Sequence, residues 1–348
     1  MISDRENMLR AIQFRNPQWI PCSFIFLPIA WQAHREKLED VLLRHPRLFG
    51  DFKRVSVDFD HPGDYYRRGD FRDNWGCLWH VEIDGAEGQV VEHPLEDWDA
   101  LKTFRPPDPR THSERDARDW GKVRQQYADM KSKDIIRIGW GERLFDRLYA
   151  LRGFENLMID IATDDPRLGE LVEILTDYTM RLTDLWLEAG VDMMAYHTDI
   201  GTQRALMISP AKFRQHIKPM FSKVFNHVRE QGVEVLLSSD GCLLEIVDDL
   251  IECGVSVHDP QIRANTIEGI RKAYKGRMCV NLDLDRQMFM FCKADDIRQQ
   301  VKDSVKALDS PEGGLMIYAA FCDNATPLEN IEATCEAFEE YCLKGNPA

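Results

Sequence analysis

From residue 134 onward, short apolar runs alternate with longer helix-patterned segments, and no other feature constrains the fold of this 348-residue chain as strongly. The candidate strands are 134–139, 191–196, 233–237, 255–258, 277–282 and 314–319. Helical segments fall between and after them, at about 143–162, 166–189, 209–231, 243–253, 264–274, 294–308 and 327–343. Strand alternating with helix predicts parallel pairing through crossover connections. Two earlier runs, 19–25 and 53–59, with a helix at 31–45, bring the expected strands to eight. Eight such units predict an α/β chain folded as one (β/α)8 barrel, a TIM barrel spanning 1–348 as a single domain. An open doubly wound sheet is the alternative. Its glycine-rich phosphate loop, GxGxxG or GxxxxGK[ST], does not occur in the sequence.

Two segments stand outside this rhythm. Residues 3–14 read as an N-terminal helical extension capped by Ser3 or Asp4, with Met8, Leu9, Ile12 and Phe14 as its apolar positions. Residues 74–95 alternate apolar and polar on both sides of Asp84-Gly85, which predicts a β-hairpin inserted over one end of the barrel.

Composition removes several classes of function. With 44 basic and 59 acidic residues the formal charge is −15, which disfavours nucleic acid and anionic membrane as partners. No apolar run approaches the roughly 18 residues of a membrane span, and the first residues carry no signal-peptide core. Nine cysteines, an odd number without CxxC pairs, fit a reduced cytoplasmic protein rather than a disulfide framework.

In a barrel of this kind the chemistry sits just beyond the C-terminal ends of the strands. Five consecutive strand ends there carry acids: Asp199, Asp240, Asp259, Asp283 with Asp285, and Asp323. The sharpest cluster is His197-Thr198-Asp199, since an imidazole beside a carboxylate suits acid/base work or metal binding. Its ordinary reading is a turn cap and a hydrogen-bonded histidine. His197, Asp199 and Asp240 are therefore the candidate catalytic residues. Gln203, Ser238, Ser239, His258 and Gln261 are the candidate substrate-binding residues, and Gly241 would let backbone approach closely. Asp240, Cys322 and His258 are the candidate ligands of a zinc ion. Arg143, Arg147 and Arg152 could meet an anionic substrate, with ion pairing to the chain's surplus acids as the plainer role.

Five passages, in order, resemble the uroporphyrinogen decarboxylase superfamily: 75–98, 144–161, DIGTQRALMISPAKFRQHIKPMFSKVF (199–225), LLSSDGCLLEIVDDLIECGVSVHDPQ (236–261) and PEGGLMIYAAFCDNATPLENIEA (311–333). The resemblance runs from about residue 5 to 343 and implies the same barrel, with its cleft at the strand C-termini. It implies two chemistries. One branch decarboxylates a porphyrinogen without cofactor and grips its carboxylates with an N-terminal Arg-Gln-Ala-Gly-Arg stretch. Here the corresponding region, 21–36, holds only Arg35 nearby, and the acidic mouth would repel a substrate with eight carboxylates. The other branch moves methyl groups to a corrinoid protein or thiol, often with a zinc held by His-x-Cys and a later Cys. Those positions correspond to Ser238, Asp240 and Cys322, so one thiol-type ligand of three remains.

The leading expectation is thus a methyltransferase acting on a small methylated or methoxylated compound, with a corrinoid protein as acceptor and zinc as the metal. The alternatives are a cofactor-independent decarboxylase and a non-catalytic ligand-binding barrel. Superfamily relatives also suggest a homodimer.

Overall fold

The computed structural model describes residues 2–343. Its strands are β1 (Cys22–Phe26), β2 (Gly69–Arg72), β3 (Leu78–Val81), β4 (Gln89–Glu92), β5 (Ile138–Trp140), β6 (Met193–His197), β7 (Glu234–Ser238), β8 (Val257–His258), β9 (Cys279–Asp283) and β10 (Leu315–Phe321). Seven of them form one curled, wholly parallel sheet in the order β1-β10-β9-β8-β7-β6-β5. The runs behind β6, β7 and β10 are nearly continuous apolar stretches, as expected of strands buried on both faces.

The expected eighth strand at 53–59 is absent. Val55 takes a positive φ of 62° and is 88% exposed, so the segment neither extends nor buries a face. The Val55 amide donates instead to Glu39 Oε1 at 2.7 Å. Without that strand β1 and β5 are edges of the sheet, and the predicted eight-stranded closure is not formed.

The antiparallel sheet β2-β3-β4 lies across this opening. It includes the predicted hairpin as β3 and β4, to which β2 adds a third strand. The Ile29 amide, on the helix after β1, donates to Gly85 O at 3.1 Å. On the other side Cys77 Sγ donates to Ala150 O at 3.3 Å and the Leu95 amide to Leu151 O at 2.9 Å, both on the helix after β5.

The opposite end of the sheet is closed by the N-terminal helix Asp4–Ile12. Its Ala11 and Ile12 pack on Met193, Ala195, Leu236, Val257, Cys279 and Met316, the lower inward-facing layer of the strands. Ser3 caps it through Glu6 N, as the sequence indicated. Most outer helices also lie where the sequence places them; Pro166–Ala189 coincides with the expected 166–189. Expected 143–162 is split at Gly153, and 31–45 at Arg35, whose φ is 49°. Expected 209–231 contains a π-helical turn, Phe213–Ile217, just before Pro219. A proline has no amide to donate and its ring crowds the preceding turn, which the wider turn relieves.

Candidate functional site

The upper end of the sheet is built by loops that hold one another through backbone. The Cys242 amide donates to Thr202 O at 2.8 Å, joining the loops after β6 and β7. A Cβ on Gly241 (φ +91°) would lie 2.7 Å from Gly201 Cα, so only glycine permits this approach. Thr198 Oγ1 accepts from the amides of Phe145 and Asp146, at 2.8 and 3.1 Å. It thereby fixes the start of helix Leu144–Arg152 over the end of β6.

That helix brings Asp146 to Asp199. The Asp199 amide donates to Asp146 Oδ1 at 2.7 Å, and Asp199 Oδ1 accepts from the Asp240 amide at 2.9 Å. Burial, and then the neighbouring Asp199 charge, push the Asp146 pKa up to about 7. Burial, and then Asp146 beside it, raise the Tyr149 phenol. Asp146, Asp199 and Tyr149 line a cavity of about 520 Å³, with Trp79, His93 and Phe154. Asp146 is not among the candidate residues that the sequence singles out. Its position three residues after Arg143, at the start of a helix following a strand, was the signal available.

His197 and Asp199 do not form the expected pair. His197 is the last residue of β6 and stacks on Trp140, with ring centroids 5.5 Å apart. It opens into a neighbouring cavity of about 450 Å³ beside Tyr65, Arg118, Tyr178 and Arg143. Unlike the rest of the strand, it is exposed in that space. Desolvation and then the Arg143 cation lower its pKa to about 4, so it is neutral at pH 7. The strand ends at His197, so Asp199 is placed by the loop that follows, through its contacts with Asp146 and Asp240, and not by strand alternation. Arg143 lines both cavities.

The three arginines near β5 divide. Arg147, 1% exposed, bonds Asp73, Glu114 and Glu142 at 3.3, 2.7 and 3.0 Å. Arg152 pairs with Asp160 at 2.8 Å. Both are structural ion pairs. Arg147 also touches the first cavity, but only Arg143 of the three lines both, 4.0 Å from Glu114.

The remaining candidates form a second cluster on β7 to β10. Asp240 pairs with Arg286 at 2.5 Å, and burial raises its pKa. Gln261 Oε1 accepts from the Gly241 amide at 2.9 Å. Ser238 Oγ donates to Asp259 Oδ2 at 2.5 Å, and the Ser239 amide to Asp259 Oδ1 at 2.9 Å. Burial raises Asp259 well above the usual carboxylate range and Asp283 to about 6. Gln203 lies at the outer rim, near Asp283 and Arg286. Asp323 accepts from the Ala325 and Thr326 amides and caps a turn. The mouth is therefore less acidic than the sequence suggested: Asp240 is paired, Asp259 and Asp283 are buried, and Asp323 is a cap.

His258 does not belong to this mouth. It is fully buried and its ring stacks on Tyr274 of the outer helix Ile267–Tyr274, at 5.5 Å. Burial lowers its pKa to about 3. It points away from Asp240 and Cys322, because Val257 takes the inward position on this two-residue strand. Burial also raises the Cys322 thiol to about 11, and Asp240 is engaged by Arg286. Asp240, Cys322 and His258 thus do not fit zinc as a ligand set. Among the described residues no three His, Cys, Asp or Glu side chains are grouped to hold a metal ion. None of the described helices is long and apolar enough to cross a membrane.

The chain matches the family model for uroporphyrinogen decarboxylase (URO-D) over residues 79–341. Among curated proteins, no sequence matches it. A methyltransferase from Methanosarcina mazei superposes with a TM-score of 0.64 at 18% identity, covering 98% of this chain and 99% of that one. At that identity the likeness is one of fold. The E. coli 3-keto-D-glucoside 4-epimerase YcjR overlaps with a TM-score of 0.40 at 11% identity, over 64% of this chain and 84% of its own. The family match takes in six of the seven strands of the parallel sheet and every residue of the Asp146–Asp199 site, and the chain belongs to the uroporphyrinogen decarboxylase family.

Proposed function

We propose that this chain is a methyltransferase that takes a methyl group from a small methylated or methoxylated compound, with a corrinoid protein as acceptor. The observation that carries the reading is Asp146, a carboxyl raised to about 7 beside Asp199 in the wall of a 520 Å³ cavity. Removing a methyl group from an ether leaves an alkoxide or phenolate, which must gain a proton. A carboxylic acid that keeps its proton near neutral pH is suited to give it. The Asp240 amide holds Asp199, and Asp199 in turn holds the Asp146 proton in place by its charge. Trp79 and Phe154 supply apolar wall for the substrate body. When bound, a corrinoid supplies the nucleophilic metal that accepts the methyl group.

Porphyrinogen decarboxylation is a poorer fit. Arg35, the basic residue nearest the expected carboxylate grip, is spent on Asp60 at 2.8 Å and on the Phe59 ring. Decarboxylation of a smaller acid is the second reading. It is favoured by Arg143 at the cavity wall, and Asp146 would then protonate the carbon that loses CO2.

The test is incubation with cob(I)alamin, as a stand-in acceptor, and a panel of methoxylated compounds, followed by the spectral change to methylcobalamin. Methylation that Asp146→Asn slows by about 100-fold or more supports the proposal. Release of CO2 from a carboxylate without methyl transfer supports the second reading. Ligand binding without either reaction would indicate a binding protein.

A further inference from the structure

The second cavity contains a cation that no carboxylate among the described residues pairs with directly, although the Glu142 charge lies close enough to act on it. Arg118 is partly buried on its wall, and its guanidinium has no hydrogen-bond or ion-pair partner among the described residues; Nη1 is fully shielded and unbonded. It lies over a pair of rings, 5.3 Å from Trp120 and 5.4 Å from Trp186. This is unusual for a chain with 59 acidic and 44 basic residues. Its other arginines buried to this degree or more find carboxylates, as Arg137 does in Asp192 at 2.6 Å and Arg147 in its three acids, except Arg115. Arg115 lies nearby over Tyr65, Phe71 and Trp79, with Nε unbonded.

The acids around the cavity are already committed. Glu114 accepts from Arg147 at 2.7 Å, Glu142 from Arg147 at 3.0 Å, and Asp116 from the Tyr65 hydroxyl at 3.0 Å. A guanidinium kept from water without an anion is costly, and its planar fork matches a carboxylate. The same wall offers aromatic surface: Trp140, 49% exposed and stacked with His197, and Tyr178. A volume of about 450 Å³ accommodates one ring with its substituents.

We infer that this cavity is the subsite for the carboxylate of an aromatic substrate, and that Arg118 is the residue that pairs with it. The inference rests on the reading of the cleft as the substrate site and names the substrate class: an aromatic acid rather than a neutral ether. The Asp146–Asp199 pair and this subsite adjoin through Arg143, so one molecule could present its carboxylate to Arg118 and its reacting group to Asp146.

The experiment is calorimetric titration with 4-methoxybenzoate, methoxybenzene and inorganic phosphate. Wild-type protein should bind the carboxylate at least tenfold more tightly than the neutral ether, and phosphate should not displace it. Arg118→Met, which keeps an unbranched stem and removes the guanidinium, should erase the preference, and Arg118→Lys should restore part of it. Asp146→Asn should leave the preference intact. Equal binding of the two ethers, no binding of the carboxylate, displacement by phosphate, or a folded Arg118→Met with unchanged affinity would each overturn the inference. Arg118-dependent carboxylate binding without methyl transfer would leave the subsite standing and defeat the proposed reaction. Transfer from neutral ethers that Arg118→Met does not slow would do the reverse.

Discussion

The backbone amide of Asp199 points at the side chain of Asp146, 2.7 Å away, although 53 residues separate them in the chain. The contact exists because Thr198 caps the helix that carries Asp146. It sets two carboxyl groups close together in a partly desolvated wall, where both cannot readily be ionised.

Activity should therefore require the protonated form of Asp146. The rate should fall as pH rises through about 7, the value to which burial and Asp199 push this group. Asp146→Asn should lower turnover by about 100-fold or more and remove that limb of the profile. A pH–rate profile of both proteins decides it. A wild-type rate that is flat from pH 6 to 9 would remove Asp146 from the mechanism.

The same shift links to folding. The folded state holds the Asp146 proton between its ordinary pKa, 3.8, and about 7. Its proton-linked contribution is complete below the unfolded value and is lost as pH rises through the folded one. Asp146→Asn should thus flatten the decline in urea stability across that window. Parallel wild-type and variant curves would show that the group is not shifted.

Arg147 balances three carboxylates inside the protein. Arg147→Met leaves Asp73, Glu114 and Glu142 without their cation and should cost about 3–5 kcal/mol, the usual penalty for breaking a buried pair from one side. Arg147→Lys should rescue little, since one ammonium cannot reach all three in the planar arrangement. Urea denaturation measures both, and a loss below about 1 kcal/mol would contradict this account.

Gly241→Ala should destabilise by about 1–3 kcal/mol and cut activity with it. The new methyl would press on the Gly201 backbone from a φ of +91°, and the loops bearing Asp199 and Asp240 would part. A melting curve and a rate on the same preparation test the two effects together.

Cys322→Ala should leave turnover within about twofold. Burial holds the thiol near a pKa of 11, so it carries little charge at neutral pH. His258, its expected co-ligand, lies against Tyr274 in the outer layer. A large loss of activity, with the fold intact, would return Cys322 to the site.

Wherever periodicity reports burial, the architecture is legible in the sequence. Strands β6 to β10 and the helix Pro166–Ala189 sit where apolar runs and caps place them, because a strand buried on both faces and a capped amphipathic helix are local patterns. Local alternation misled at 53–59, where Val55 turns outward and no neighbouring strand offers a ladder. The list of strand-end acids was also local, and it brought Asp199 and Asp240 to notice. Which acid meets which partner was decided by tertiary structure alone. Asp146 reaches Asp199 only through a cap across 53 residues, and Arg286 neutralises Asp240 from 46 residues away. His258 faces outward because β8 is two residues long with Val257 inside. Arg118 stays unpaired because the nearby acids are already taken by Arg147 and Tyr65. Charge pairing depends on distance in space, and a sequence records only distance along the chain.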